Sequence, residues 1–504
     1  MTHKTNPFII KSFILLFFLT ASTKAQKTEL EEINSFIEKT MNRFDYLPGL
    51  TVTIVKDDKT LLSKGYGYSD IKNDIRANSD IPFYIASTTK SFVGMLAAIL
   101  ENEGKIDLSV PLTTYKPFKD LSNKELFESI TINELLNHTS GLRNNYLPFR
   151  NAYIGHQPHE DMIKLLEEET SLSEKKFEYT NLGYNIFDLL LKEEFGLDWR
   201  DLLNEKIFIP LEMHHTSAYI SKAISNDWKL AKPYRALQKN GTTESQMKTD
   251  NNMHSAGGLV SSGNDLANWL LFNINDGKLN GAQIYPSNIV EKTHLKTISH
   301  SKTGQIFEDN GYGIGWNTAS YKNEGIVYHF GGYTGFFTHI SFMPKHNIGI
   351  AINANEEMFG DNISNIIAAY IYDLLLGNTI NIEEYEQKFV NIEELYMKLN
   401  TKFTANRLDK SNREWKLDLP LESYLGIFRS KRFGDMVVTL KNEKPYIKLG
   451  ELEAIAKPST QENGMESELI PGRAMNIIFV IDPNNQNQIN ELKVGGETFE
   501  RIKN

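Results

Sequence analysis

The sequence predicts an α+β domain followed by a small all-β domain. Three observations support this division. Residues 26–377 mix apolar runs of helical length with strand-like segments. Residues 378–418 become charged and helix-prone, as expected for a helical linker. Residues 419–504 contain short alternating strands separated by glycine, asparagine and proline turns, which indicates a separate β domain.

The composition favours a globular protein that acts on small molecules or peptides. The chain has 504 residues and is 40% hydrophobic, which is enough for more than one core. Its net charge is −10 and no lysine-rich block stands out, which argues against nucleic acid as a partner. It contains no cysteine, so disulfides, a catalytic thiol and thiolate metal sites are excluded.

Residues 1–25 are predicted to be a secretory signal peptide. Lys4 and Lys11 flank the start of this segment, residues 13–19 are apolar, and small residues lead to a cleavage site after Ala25. The apolar run is short for a membrane span. We therefore expect an exported protein, periplasmic or secreted, with membrane attachment only if the segment stays uncleaved.

The first domain then alternates helices and strands. Helical spacing over residues 28–43 precedes a β-hairpin whose polar turn is Lys56-Asp57-Asp58-Lys59. Thr131 and Glu134 have the spacing of a helix capping box. Residues 144–175 are less regular and are expected to form a substrate-facing flap. Three strands at residues 326–330, 336–343 and 348–353 and a helix at 363–376 complete the domain.

The stretch Ser87-Thr88-Thr89-Lys90 is the first candidate for chemistry. If the apolar run over residues 92–100 is a buried helix, Ser87 and Lys90 lie on one face of its first turn, a nucleophile beside a possible base. Only this copy of the S-x-x-K spacing follows a strand-like approach and opens a long apolar helix. The other copies lie among polar residues, at Ser69/Lys72, Ser173/Lys176, Ser245/Lys248 and Ser299/Lys302.

Histidines at two places invite a functional interpretation. His138 is either catalytic or a helix-end histidine bonded to backbone, and the second interpretation is favoured. His156, His159 and Glu160 lie together but lack the H-E-x-x-H order that places two ligands on one helix face. We therefore expect a solvated loop there, and no metal or cofactor in the protein.

A tyrosine and an asparagine precede the next apolar helix. Tyr179 and Asn181 are two residues apart, so both side chains can enter one cleft if the backbone between them is extended. The alternative is a core tyrosine followed by a helix cap.

Taken together, the motifs resemble the serine β-lactamase and penicillin-binding protein superfamily, in the branch of class C β-lactamases, D-Ala-D-Ala carboxypeptidases, D-aminopeptidases and related esterases. The resemblance covers about residues 30–376, and its stretches occur in the family order. They are Ser87–Lys90, Leu135–Leu142, Tyr179–Asn181, Gly257–Leu259, Tyr312–Trp316 and His329–Gly331.

This resemblance implies a fold for each domain. The first would have a β-lactamase/transpeptidase-like antiparallel sheet flanked by helices, with a helical subdomain. The C-terminal domain, which Tyr424–Phe428 opens, resembles the lipocalin-like β domain appended to some of these hydrolases.

The family also implies an acyl-enzyme mechanism. Ser87 would be the nucleophile, and Lys90 the base once burial and the helix N-terminus have lowered its pKa. Tyr179 would share the proton shuttle and pass a proton to the leaving group. Asn181 would orient the substrate amide and Lys90.

The resemblance also implies the remaining site residues. The amides of Ser87 and Gly332 would hold the oxyanion, and Gly331 would let backbone come close to the acyl group. Asn355 would lie near a substrate carboxylate.

The third motif departs from class C β-lactamases, which have lysine-threonine-glycine. Here it is His329-Phe330-Gly331, closer to the histidine-x-glycine of carboxypeptidases and esterases, and Phe330 removes a hydroxyl that commonly binds a substrate carboxylate. The stretch Lys302-Thr303-Gly304 has the β-lactamase spelling, but it precedes Tyr312–Trp316 and lies in a polar run, so we do not assign it as the motif.

The leading hypothesis is an exported serine hydrolase that acts on an amide or ester. Its substrate would be a small molecule or peptide of the D-amino-acid or muropeptide type, as for a D-Ala-D-Ala carboxypeptidase, a D-aminopeptidase or an esterase. A class C-like β-lactamase and a non-catalytic penicillin-binding or sensing protein are the alternatives. An α/β-hydrolase is disfavoured because the chain has no G-x-S-x-G elbow.

Overall fold

The computed structural model describes residues 27–155, 158–238, 241–302, 306–482 and 484–502. The predicted signal peptide lies outside these ranges. Within them, no helix combines the length and hydrophobicity that crossing a bilayer requires.

An eight-stranded antiparallel sheet forms the centre of the first domain. The strand Gly49–Lys56 pairs with Lys59–Asp70 to form the predicted hairpin, and with Ile348–Ala354 on its other side. Asp57 takes a left-handed conformation at the turn (φ 55°), which a short polar side chain tolerates. The strands lie in the order Glu308–Tyr312, Asn317–Tyr321, Glu324–Tyr333, Phe336–Met343, Ile348–Ala354, Gly49–Lys56, Lys59–Asp70, Ile75–Arg76.

Helices cover both faces of this sheet. On one face, residues 27–43, Gly360–Leu375 and Ile382–Ser411 share an apolar core with the strands. On the other face, Gly263–Ile274 and Thr89–Asn102 pack against the sheet and continue into a helical subdomain. The other α-helices of the described residues are Lys116–Lys119, Ile132–Leu136, Tyr146–Phe149, His159–Glu169, Leu182–Phe195, Trp199–Leu203, Ile220–Ser225 and Ser287–His294.

Local signals in this domain act as the sequence predicts. In the capping box, the amide of Glu134 donates to Thr131 Oγ1 at 3.2 Å and the amide of Thr131 donates to Glu134 Oε2 at 2.9 Å. Short antiparallel pairs connect the loops: Phe83–Tyr84 with Val260–Ser261, Leu142–Arg143 with Ser171–Leu172, Tyr234–Gln238 with Gly241–Glu244, and Lys278–Leu279 with Ala282–Gln283.

The C-terminal domain is a nine-stranded antiparallel sheet curled into a nearly closed barrel. Its core contains Tyr424 and Phe428, whose rings pack edge to face against Phe479. Both parts of the α+β prediction are therefore confirmed. The strands lie in the order Leu452–Ile455, Lys444–Leu449, Gly434–Lys441, Gly426–Ser430, Glu497–Arg501, Asn485–Val494, Arg473–Asp482, Gly464–Ile470, Lys457–Pro458.

The segment predicted as a linker contains the helix Ile382–Ser411. Tyr385 and Phe389 of this helix are buried in the core of the first domain. Near its C-terminal end, Lys410 Nζ lies 2.6 Å from a carboxylate oxygen of Glu466 in the β domain. The helix is thus tied to both domains.

Residues 146–155, called the flap segment below, are more regular than the sequence predicts. They form the helix Tyr146–Phe149 and a π-helix, Arg150–Ile154. Ile154 is buried in the core of the β domain, and its carbonyl accepts a hydrogen bond from the amide of Glu451 at 2.8 Å. A contact with a distant part of the chain therefore orders this segment, and local sequence does not encode that contact.

Candidate active site

Ser87 lies between a short strand and a long buried helix. The chain leaves the strand Phe83–Tyr84, forms the 3-10 helix Ala86–Thr88, and continues directly into Thr89–Asn102. Ala86 has φ 45°, a left-handed conformation that costs a residue with a Cβ about 1–2 kcal/mol. Such strain is concentrated at functional sites. Ser87 is partly exposed, whereas the residues on either side are buried.

Lys90 is fully buried beneath Ser87. Its Nζ lies 3.3 Å from Ser87 Oγ, 2.7 Å from Asn181 Oδ1 and 2.8 Å from the carbonyl oxygen of Ala256. The last two oxygens can only accept, so they take two N–H groups of the amine. A neutral amine then has its lone pair free to face the Ser87 hydroxyl. Burial lowers the pKa of Lys90 well below its ordinary value, which favours this neutral form.

Tyr179 and Asn181 both lie at this centre, just before the helix Leu182–Phe195. The ring centroid of Tyr179 lies 4.8 Å from Lys90 Nζ, and Tyr179 and Ser87 line the same cavity. Although 45% of the Tyr179 surface is exposed, burial of its hydroxyl end raises the pKa of the phenol. The phenol therefore carries its proton at neutral pH and can donate it.

His138 holds the backbone on both sides of Tyr179. Its carbonyl accepts from the amide of Glu178 at 2.9 Å, and its Nδ1 accepts from the amide of Thr180 at 3.4 Å. Its ring centroid lies 4.5 Å from that of Tyr179. The backbone-bonded interpretation of His138 is thus the one that the structure supports. The sequence alone does not predict the contact between His138 and Tyr179. The run of Asn137, His138 and Gly141 marks only the end of a helix.

His329 is a neutral imidazole of defined tautomer. Its Nδ1 lies 2.8 Å from the carbonyl oxygen of Phe330, which can only accept, so Nδ1 carries the hydrogen. Its Nε2 then accepts from the Tyr312 hydroxyl at 3.2 Å. Burial is the largest cause that lowers the pKa of His329, to about 3. This position of the third motif therefore supplies no positive charge.

Gly331 and Gly332 lie near the end of the strand Glu324–Tyr333. A Cβ on Gly331 would lie 1.9 Å from the carbonyl oxygen of Ile85, so this packing requires glycine. Gly332 is exposed, and a Cβ there would meet no atom closer than 3.9 Å. The close packing at Gly331 fixes the position of the following amide relative to the turn that carries Ser87.

A cavity of about 680 Å³ opens at Ser87. Six aromatic side chains line it: Phe177, Tyr179, His300, Tyr328, His329 and Phe330. Its charged groups are Asp309, which accepts from the Tyr328 hydroxyl, and Lys302. Lys302 begins the Lys302-Thr303-Gly304 stretch, and the two residues that follow it lie outside the described residues.

Asn355 is not brought to this cavity, contrary to the expectation that it lies near a substrate carboxylate. It is fully buried, and its Nδ2 donates to the carbonyl oxygens of Tyr68 and Ser69 at 3.0 and 3.4 Å. The position follows the strand Ile348–Ala354, where the chain packs against the end of Lys59–Asp70. The side chain therefore joins two strand ends.

The histidines considered for metal binding have other surroundings. His159 lies at the start of the helix His159–Glu169, with Nδ1 2.8 Å from Glu193 Oε1, and His156 lies outside the described residues. Across the part of the chain that the structure describes, no group of three or more histidine, aspartate and glutamate side chains could hold a metal ion.

Comparison with known proteins gives a family match and several relatives. A family model described as Beta-lactamase matches residues 37–369. Protein flp from Staphylococcus aureus (strain NCTC 8325 / PS 47) is 28% identical over 332 residues, which are 64% of this chain and 63% of flp. The alignment thus spans less than two thirds of that relative's own length.

Two solved structures share the fold. The octameric penicillin-binding protein homologue from Pyrococcus abyssi superposes with a TM-score of 0.61 and 23% identity, and covers 93% of this chain and 99% of its own. D-amino acid amidase from Ochrobactrum anthropi SV3 superposes with a TM-score of 0.59 and 20% identity, and covers 69% and 99%.

Proposed function

Because the chain belongs to the β-lactamase family of serine hydrolases, we propose that it hydrolyses an amide or ester bond through an acyl-enzyme formed on Ser87. The observation that carries this proposal is the set of contacts around Lys90. Asn181 Oδ1 and the carbonyl oxygen of Ala256 accept from the amine, and its Nζ lies 3.3 Å from Ser87 Oγ, so the neutral amine has a lone pair available for the Ser87 proton.

The proposed reaction has two steps. As Ser87 Oγ attacks the carbonyl carbon, its proton passes to Lys90, and the negative charge on the carbonyl oxygen is held by the amides of Ser87 and Gly332. Tyr179 passes its proton to the leaving nitrogen or oxygen and takes a proton back from Lys90, so that the amine or alcohol departs, an ester remains on Ser87, and both side chains return to their starting states. Water then hydrolyses that ester and restores the serine.

We propose a D-amino-acid or muropeptide-type substrate, such as a D-amino acid amide or a peptide ending in D-Ala-D-Ala. The neutral state of His329 favours the D-amino acid amide, which has no terminal carboxylate to pair with a cation at the third motif. The aromatic cavity suits a compact organic group, and its volume lies in the range of small-molecule sites. The likeness in fold to D-amino acid amidase agrees with this choice.

Active-site labelling tests the mechanism. A fluorophosphonate probe should phosphonylate the wild-type protein, with a bond formed from Ser87 Oγ to phosphorus and fluoride released. Ser87→Ala should not be labelled, whereas Ser245→Ala, which alters another S-x-x-K serine, should be labelled as wild type. Equal labelling of wild type and Ser87→Ala would refute the proposal.

A product assay tests the substrate class. D-amino acid amides, D-Ala-D-Ala peptides, short acyl esters and nitrocefin are compared by kcat/KM. We expect turnover of the D-amino acid compounds or of the esters, and at most a single burst with nitrocefin. Steady nitrocefin turnover faster than that of every other compound would favour a β-lactamase instead.

We also propose that the protein is exported and that cleavage follows Ala25. The basic and apolar pattern of residues 1–25 supports this. N-terminal sequencing of protein recovered from the periplasm or the medium should begin at Gln26, and an intact Met1 in a cytoplasmic fraction would contradict it.

A further inference from the structure

A second lysine, Lys248, is buried close to the active site. Only 4% of its surface is exposed. Its Nζ donates to the carbonyl oxygens of Ala152 at 2.7 Å and Asn252 at 2.8 Å, and lies 4.1 Å from the ring centroid of Tyr333. Lys248 belongs to one of the S-x-x-K stretches set aside on sequence grounds, and the mechanism proposed for Ser87 does not use it.

The surroundings of Lys248 differ in one respect from those of Lys90. Lys90 faces two acceptor oxygens and a hydroxyl, and the hydroxyl can donate a proton to a lone pair. Lys248 faces two carbonyl oxygens and the face of an aromatic ring, and all three are acceptors. Three acceptors match the three N–H groups of an ammonium ion. A neutral amine would instead direct its lone pair at an electron-rich group.

Burial lowers the pKa of Lys248, and these contacts oppose that effect. Hydrogen bonds to the charged form and the electrostatic attraction of the Tyr333 ring both favour the ammonium ion. Burial lowers the pKa of both lysines, and the partners of the amine are what differ between them.

The contacts of Lys248 connect the flap segment with two segments that carry parts of the active site. Ala152 lies in the flap segment. Asn252 precedes Ala256, whose carbonyl oxygen holds Lys90. Tyr333 directly follows Gly332, whose amide is proposed to bind the oxyanion.

A fourth segment joins through aromatic contact. The ring centroid of Tyr84 lies 5.4 Å from that of Tyr333 and 5.5 Å from Lys248 Nζ. Its hydroxyl donates to the carbonyl oxygen of Gly257, and Tyr84 is three residues before Ser87. The approach to the nucleophile, the loop behind Lys90 and the end of the third-motif strand therefore meet around one amine.

We propose that Lys248 is an ammonium ion and a positioning residue that holds the Gly332 amide and the Ala256 carbonyl in place for the reaction at Ser87. This inference rests on the proposed function. Lys248 is not among the described residues that line the cavity. Its loss should therefore slow the acylation step and leave the affinity for a probe nearly unchanged.

The experiment measures the phosphonylation of Ser87 by a fluorophosphonate, as a measure of attack by Ser87, over a range of probe concentrations. Lys248→Met keeps the apolar stem and removes the amine, and its maximal labelling rate should fall by about 10- to 100-fold. The probe concentration for half-maximal rate should stay within about twofold of wild type. Lys206→Met is the matched control, because Lys206 pairs with Glu103 at 2.9 Å near the far end of the helix that follows Ser87. It should keep the wild-type rate.

A second pair of variants covers the case in which Lys248→Met does not fold. Tyr333→Phe keeps the aromatic ring and should match wild type, whereas Tyr333→Leu removes the ring and should slow acylation in the same way as loss of the amine. Equal maximal rates for Tyr333→Phe and Tyr333→Leu would overturn the proposal. A wild-type maximal rate in folded Lys248→Met would overturn it as well.

The charge state has its own readout. In protein labelled with ¹³C and ¹⁵N at lysine, the Nζ of Lys248 should show the chemical shift of an ammonium ion at pH 7. The signal is assigned by its loss in Lys248→Met. If that variant does not fold, the signal is assigned by the change in its ring-current shift in Tyr333→Leu. The shift of a neutral amine would refute this inference. Failure of the wild-type protein to react at Ser87 would instead refute the proposed function, so the two failures are distinguishable.

Discussion

Replacement of Gly331 by alanine should reduce the activity of the protein strongly and leave it folded. The added Cβ would lie 1.9 Å from the carbonyl oxygen of Ile85 and 3.0 Å from Thr88 Oγ1. An ordinary contact to a Cβ begins at about 3.4 Å, so the strand end and the turn that carries Ser87 must separate by about 1.5 Å. That displacement is enough to turn a hydrogen bond to the oxyanion into a gap.

The expected cost to catalysis exceeds the expected cost to stability. A misplacement of about 1 Å can reduce a rate by about 100-fold, so we expect at least that loss in the acylation of Ser87. Overpacking at one buried position typically costs about 1–3 kcal/mol of folding free energy, which a domain of this size tolerates.

Fluorophosphonate labelling and thermal unfolding measured on the same preparations test this reasoning. The control is Gly325→Ala on the same strand, where a Cβ meets nothing within 4 Å. It should keep the wild-type rate and unfolding temperature. A folded Gly331→Ala protein that labels at the wild-type rate would refute the steric argument. An equal loss of rate in Gly325→Ala would refute its assignment to Gly331.

Three further predictions concern side chains at or near the site. His138→Ala removes the acceptor of the Thr180 amide and the ring beside Tyr179, so acylation of Ser87 should slow by about tenfold while the circular dichroism spectrum stays unchanged. An unchanged acylation rate would show that Tyr179 is held in place without His138. The rate of acylation should rise with pH as Lys90 loses its proton. Because burial lowers the pKa of Lys90, the midpoint of the pH–rate profile should lie below the ordinary pKa of lysine. A midpoint at or above the ordinary pKa would contradict a buried amine base. Asn355→Ala leaves two carbonyl oxygens without their donor, so the free energy of unfolding, measured by denaturant titration, should fall by about 1–3 kcal/mol. A raised KM for an active substrate at unchanged stability would instead support the expectation that Asn355 contacts the substrate.

Sequence patterns were sufficient to predict the part of the site that contains Ser87 and Lys90. The apolar run after Ser87 predicts a buried helix, and a three-residue spacing on such a helix brings Ser87 and Lys90 together. The two-residue spacing of Tyr179 and Asn181 allows both to reach one centre, and the family resemblance favours this over a core tyrosine followed by a helix cap. These inferences concern side chains whose separation is fixed by local geometry.

The rest depends on contacts between distant segments. The second acceptor of Lys90 is a backbone carbonyl, that of Ala256, and every residue has one, so no residue type marks it in the sequence. The tautomer of His329 also depends on a carbonyl oxygen. The expectation for Asn355 came from the family resemblance, whereas its side chain contacts the carbonyl oxygens of Tyr68 and Ser69, which are 287 and 286 residues away in the sequence.

The burial of Ile154 in the β domain bears on how such a protein can gain or lose its second domain. If recombination in the connection after Ser411 removed the β domain, the apolar side chain of Ile154 would be left in water. Burial of an isoleucine contributes about 1.5–3 kcal/mol to folding stability. The amide of Glu451 would also lose its partner. Exchange of the β domain between relatives therefore requires matching changes in the flap segment, and the two regions should vary together during evolution.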